Sequence, residues 1–349
     1  MNEASTYSHP DSTVRHSYPL ASRDTGFVAA MNLCLKTLPF MGVRLALLMG
    51  FTLLAMVWFG ITFGAAAILT RATNETAGFW GLLIAFGVPI GFFMSFKRYV
   101  LYLLEAAHIA VLTRLITHGS LESDSSQISY GKDIIASHFG EVNMLLVLDA
   151  IIQGVVRAFT NTVDWIIHLL PIPGMDGPLQ MVKRILQNAT NYVEDAIFSY
   201  NLARGDDNKW RSSKDGLIYY AQNWKPVLKT ATYALLLEYA LTGIMFLVFL
   251  VPAFGIGALI PKMGVWALLF AGLFALNFKA AVLHPLFLTM VMLTYHNAIH
   301  DQPINLEWDQ TLTGASDKFK ELTEKARTWV GEKTGSTAPG TPVTQAVIS

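Results

Sequence analysis

Four stretches of this chain, 46–70, 79–96, 231–260 and 265–285, are apolar runs of the length that carries a helix through a bilayer. About 20 such residues complete one crossing. Composition agrees: 53% of the residues are hydrophobic and only 14% are charged, where soluble domains carry about a quarter. The expected fold class is all-α: a polytopic integral membrane protein with two long helical hairpins (about four transmembrane helices) and amphipathic cytoplasmic helices. The expected membrane is a plasma membrane or a bacterial inner membrane. A net charge of zero gives no electrostatic case for nucleic acid. Cys34, the single cysteine, excludes an intramolecular disulfide and reads as a small apolar residue.

The second and fourth runs do not stop where a membrane would. After Phe96 the sequence continues as KRYVLYLLEAAHIAVLTRLI with no Gly or Pro to turn it. A helix from Phe79 to Thr117 would be roughly 58 Å long against a ~30 Å hydrocarbon core. The fourth, from Val265 to about Ile299, is overlong as well. Both helices must project into water, or bend at Pro89 and Pro285 and follow the surface. Each opens on a similar octet, GFWGLLIA at Gly78–Ala85 and GVWALLFA at Gly264–Ala271, with five of eight positions identical. A duplicated hairpin in parallel orientation and chance likeness between Leu- and Ala-rich segments both account for that.

Charge sets the expected orientation. If 1–45, 97–229 and 297–349 share one side, that side holds 22 of the 25 Lys and Arg; Arg71 and Lys262 fall opposite and Lys279 within the membrane. Cytoplasmic loops concentrate Lys and Arg, so both termini are expected to be cytoplasmic. Asn74-Glu75-Thr76 matches a glycosylation sequon, in an external loop too close to the membrane for modification to be expected.

The organisation read from this is a polar tail (1–26), a first hairpin with a cytoplasmic extension (27–117), and an amphipathic cytoplasmic or interfacial segment (118–230). A second hairpin (231–300), an amphipathic C-terminal region (301–333) and a second polar tail (334–349) follow. Both tails are too polar to offset the entropy of ordering. In the middle segment Asp149, Gln153, Arg157, Asn161, Asp164 and His168 recur every three or four residues, along one helical stripe. The helix is either amphipathic, lying on the membrane or on the overlong helices, or a fifth span whose stripe faces a cavity. A fifth span would export eight Lys and Arg between 183 and 229, so the positive-inside rule favours the first. Gly205-Asp206-Asp207-Asn208 marks a turn between two further amphipathic helices. Near the C-terminus Phe319, Leu322, Ala326, Trp329 and Val330 share one helical side opposite Lys-rich positions, suited to an anionic membrane or to the protein's own helices.

From Ile185 onward the order of features resembles the choline transporter-like family. NATNYVEDAIFSYN (Asn188–Asn201) is similar to that family's Asn-Ala-Tyr helix. SSKDGLIYYAQNWKPVLKTA (Ser212–Ala231) resembles its amphipathic lead-in to a span, and KAAVLHPLFLTMVMLTYHNAIHD (Lys279–Asp301) its final helix. The resemblance implies transport of choline-like solutes and assigns no binding residue.

Chemical motifs are few. A Gly-rich phosphate loop, a nucleophile elbow and a His-Glu-x-x-His pair are all missing from the sequence. His296 and His300 share a helical face and with Asp301 could chelate a metal, but the sequence names no further ligands, so no cofactor or metal is expected. The informative residue is Lys279, inside an apolar run. Glu238, in LLLEYALTG, lies ~10 Å into its span and Lys279 ~9 Å from the end of its own, so an antiparallel hairpin brings them to one depth. Such a pair either fixes hairpin register or takes part in solute or ion movement, and snorkelling to the nearby edge is the remaining account. The expected function is a transporter or flux facilitator for a small, unidentified solute. The alternative is a non-catalytic membrane scaffold acting through its cytoplasmic helices; catalysis is not expected. The lipid bilayer is the expected partner, and homo-oligomerisation is one way so few spans could enclose a polar cavity.

Overall fold

The computed structural model describes residues 18–73, 75–121, 126–139, 142–162, 176–259 and 264–335. Those residues form an all-α fold. In chain order the helices are α1 (Phe27–Lys36), α2 (Leu38–Ala72), α3 (Glu75–His118), α4 (Gln127–Phe139), α5 (Val142–Thr162), α6 (Asp176–Arg204) and α7 (Lys209–Gln222). They continue as α8 (Trp224–Leu259), α9 (Gly264–Phe278), a π turn (Lys279–Leu283), α10 (His284–Ile299), α11 (Leu306–Ala315) and α12 (Asp317–Gly335).

Four stretches are long and apolar enough to cross a membrane: Leu38–Ala72, Phe93–His118, Trp224–Gly255 and Trp266–Ile299. The protein is a polytopic membrane protein. It covers little of its first and third spans, 17% in each case, so Leu53, Val57, Phe63, Val248 and Val251 on α2 and α8 turn outward to the lipid. Within the bundle α2 packs on α3 and α8 on α9. Asn277 on α9 donates to the Thr52 hydroxyl on α2 at 2.8 Å, which ties the two hairpins together.

The overlong helices neither stop nor lie on a surface. α3 is unbroken for 44 residues, and its second half is among the most buried parts of the chain, with Ile109, Val111, Leu112 and Ile116 in the core. α4, α6 and α10 pack against it, and the apolar sides of α5 and α7 join the same buried core. Leu145, Leu148, Ile151, Ile152, Val155 and Val156 of α5 are all buried there, so this helix spends its apolar stripe on protein. Burying each such side chain contributes ~1.5–3 kcal/mol, more than a partly wet interface returns.

Local signals explain the turns. α6 ends where Gly205 adopts φ 62°, a left-handed conformation that glycine reaches without steric cost. α7 restarts with Asn208 as its cap, the side-chain oxygen accepting from the Arg211 N–H at 3.0 Å. Residues 18–26, read from composition as part of a free tail, are anchored. The Ala21 N–H donates to Ile116 O at 3.0 Å, capping carbonyls at the end of α3. The Tyr18 hydroxyl bonds His296 Nδ1 at 2.6 Å. Compositional reasoning missed this because the strap is held by backbone groups, the Tyr18 phenol and the Arg23 guanidinium on His300, not by an apolar stripe.

The C-terminal region divides into α11 and α12. Phe319, Leu322 and Ala326 are buried within the protein against α5 and α7, and Trp329 is half-buried. Of the two surfaces the sequence allowed for this helix, the protein's own is the one it covers.

Candidate functional site

Charged side chains from five helical segments converge on His284. The cause is local. Lys279 and His284 are five residues apart, which puts them on different faces of a regular α-helix. The π turn between them, closed by the His284 N–H donating to Lys279 O, brings both inward. Pro285 follows at the start of α10, where it needs no partner for the N–H it lacks.

The imidazole sits between carboxylates. Nε2 lies 3.1 Å from Glu105 Oε1 and 4.0 Å from Asp195 Oδ2, and Nδ1 lies 3.3 Å from Glu238 Oε1. Arg44 on α2 donates from Nη2 to the same Glu105 oxygen at 3.0 Å. Lys279 Nζ stands 3.6 Å from Glu238 Oε2 and 4.5 Å from the centre of the Tyr239 ring. Tyr192 on α6 stacks on the imidazole, with ring centres 5.0 Å apart. Glu238 is 1% exposed, while Glu105, Asp195, Lys279 and His284 are half-buried. Three carboxylates therefore face two fixed cations, Arg44 and Lys279, across one histidine.

The structure thus brings Glu238 and Lys279 together, and gives Glu238 a second neighbour in His284. Of the polar stripe, Asp149, Gln153 and Arg157 lie on α5, facing α6; Asp164 and His168 are outside the described residues. Gln153 donates to Glu194 Oε2 at 3.2 Å and Arg157 Nε lies 4.0 Å from Glu194 Oε1. Burial pushes the Glu194 carboxyl up to about 7, with Gln153 and Arg157 pulling it back. Burial first, and then the charge of Glu105, raises Asp149 to about 6 and lifts Asp195 well above the usual carboxylate range. The stripe is thus an outward continuation of the cluster around His284. His296 and His300 do not converge: His296 is buried between Tyr18 and Ser199, whereas His300 faces Arg23 and Asp301.

Sequence reasoning missed Arg44, Glu105, Asp195 and His284. Arg44 reads as a flanking charge, Glu105 sits in a stretch assigned to water, and His284 is out of phase with Lys279 by helical periodicity. The one available signal was His284-Pro285 five residues after an intramembrane lysine.

Fold and site together define a polytopic helical membrane protein with a built ionic cluster among its apolar helices, an architecture consistent with transport. No family of known proteins, no curated protein and no solved structure matches this chain.

Proposed function

We propose that this protein moves a small cationic solute across its membrane, as a transporter or flux facilitator, and that the cluster around His284 is where the solute is held. The observation that carries this is the convergence of Arg44, Glu105, Asp195, Glu238, Lys279 and His284 from five helical segments, four of them spans. Ionisable groups within spans are costly and mark substrate or ion paths by default. A purely structural role would need one pair, not six groups, three acidic and three basic. The three carboxylates suit a cation, and the Tyr192 and Tyr239 rings, which already lie against His284 and Lys279, suit an organic ammonium. The resemblance to choline transporter-like proteins points the same way, towards a choline-like solute. Cytoplasmic termini, from the distribution of Lys and Arg, belong to the same reading. The scaffold alternative has less support, since α5, α7 and α12 turn their apolar sides onto each other.

The test is uptake of labelled choline and related ammonium solutes into proteoliposomes of the full chain. Wild type should exceed protein-free vesicles, and Glu105→Gln, if it melts like wild type, should not. Uptake by folded wild type no faster than by empty vesicles, for every solute tried, would sink the proposal.

A further inference from the structure

The two nitrogens of His284 meet different surroundings. Glu238 Oε1 faces Nδ1 at 3.3 Å and belongs to a carboxylate that is 1% exposed. A buried carboxylate in that position holds the proton on Nδ1 and orients the ring, the usual second support of a metal-binding histidine. Nε2 is then the nitrogen left without a proton, 3.1 Å from Glu105 Oε1 and 4.0 Å from Asp195 Oδ2. Acceptors do not face each other across such a gap without something positive between them. Either a second proton bridges them, or a metal ion does.

We propose that a divalent transition-metal ion of the zinc, manganese or iron(II) class binds between His284 Nε2 and the carboxylates of Glu105 and Asp195, with Glu238 as the outer carboxylate behind the ring. One ligand atom from each of the three residues lies within 4.8 Å of the others. Ligands about 2.1 Å from an ion stand ~3–4 Å apart, which is the spacing of the 3.1 and 4.0 Å pairs. One imidazole and two carboxylates form a mixed nitrogen–oxygen set, which suits borderline dications better than thiolate-seeking copper(I) or calcium and magnesium. Arg44 donates to the same Oε1 of Glu105, and a carboxylate oxygen has a second lone pair for an ion. The repulsion from Arg44 is met by three carboxylates. The π turn is an independent pointer, since such turns recur at functional sites and this one presents His284 to both carboxylates. Metal binding stands apart from transport, because it is measured on solubilised protein with no membrane to cross.

Full-length protein, purified in detergent and stripped with chelator, is dialysed against Zn²⁺, Mn²⁺ or Co²⁺. Metal content is measured, and the ligands of zinc-loaded wild type are read by X-ray absorption. One ion per chain, with a single imidazole and oxygen ligands, is expected. Affinity should fall about 10- to 100-fold in Glu238→Gln and further in His284→Gln, while His300→Ala should leave it unchanged. Failure of wild type to retain an ion, coordination by two or more imidazoles, or undiminished binding in His284→Gln would each overturn the site. The spectrum is taken on wild type, so the ligand set is decided even where a variant does not fold.

Discussion

Lys279 lies in an apolar helix because its charge is spread over two partners, the Glu238 carboxylate and the Tyr239 ring. Glu238 is the more constrained member, buried and shared between Lys279 and His284. The two single substitutions should therefore differ. Glu238→Gln leaves Lys279 without its anion and His284 Nδ1 without its carboxylate, and should cost on the order of 3–5 kcal/mol. Lys279→Met should cost less, since His284 still faces Glu238 and the half-buried ammonium reaches solvent. A double-mutant cycle by thermal melting in detergent should give a non-zero coupling; strictly additive effects would mean that the two residues are independent and that Lys279 is held by snorkelling alone. Cys34 supplies a second prediction at this scale. It is 3% exposed, and burial pushes its thiol up to about 11. At pH 8 roughly a thousandth of it would be thiolate, the reactive form. Native protein should resist maleimide and label fully only after denaturation; rapid native labelling would contradict the packing of α1 against its neighbours.

The π turn shows at the level of elements why the spans were legible and the site was not. Apolar runs report themselves by length, so the four spans could be read directly from the sequence. So could the Gly205 turn and the pairing of Glu238 with Lys279, which needs only depth and an antiparallel hairpin. His284 could not, because its alignment with Lys279 depends on i→i+5 bonding that no 3.6-residue periodicity anticipates. Glu105 was hidden by the opposite error: α3 continues into a protein core beyond the point where the apolar run seems to end. Inserting one alanine after Ala280 exceeds the single extra residue that a π turn absorbs and should swing His284 ~100° about the axis relative to Lys279, away from Glu105 and Glu238. Metal retention and melting temperature should both drop, whereas Ala280→Ser, which keeps the register, should change neither by much. Equal behaviour of the two variants would remove the π turn from the account. α12 makes a separate test, since Phe319 and Leu322 are fully buried. Changing both to Ser should destabilise the full chain by ~1.5–3 kcal/mol for each side chain. A peptide of residues 314–333, in contrast, should not bind anionic vesicles appreciably, because its apolar side is narrow and matched to protein; tight vesicle binding would restore a membrane-surface role.

At the scale of the whole molecule the chain has two regimes. Outward-facing apolar side chains on α2 and α8 need lipid or a second copy of the chain, while the halves of α3 and α10 next to α5, α6 and α7 are enclosed by protein. The cluster around His284 lies where these regimes meet, close to one membrane face. Which face it is decides whether the cluster meets solute from inside or outside the cell. The proposed orientation puts 22 of 25 Lys and Arg on the cytoplasmic side, with α4 to α7 and α12. The packed helices of that side also argue for it, since moving them across a bilayer would carry eight basic residues between 183 and 229 against the bias. Single cysteines test this directly, and the buried Cys34 supplies a silent background. Cysteine at the exposed Thr73 position, or at Met263, should react with an impermeant maleimide added to intact cells. Cysteine at Asp207, exposed in the turn after α6, should react only after the membrane is opened. Asp207 suits this better than its neighbour Asn208, which is buried and donates to Ala326 O at 2.8 Å. Labelling of Asp207→Cys in intact cells would invert the orientation and place the half-buried carboxylates of the cluster near the external face instead.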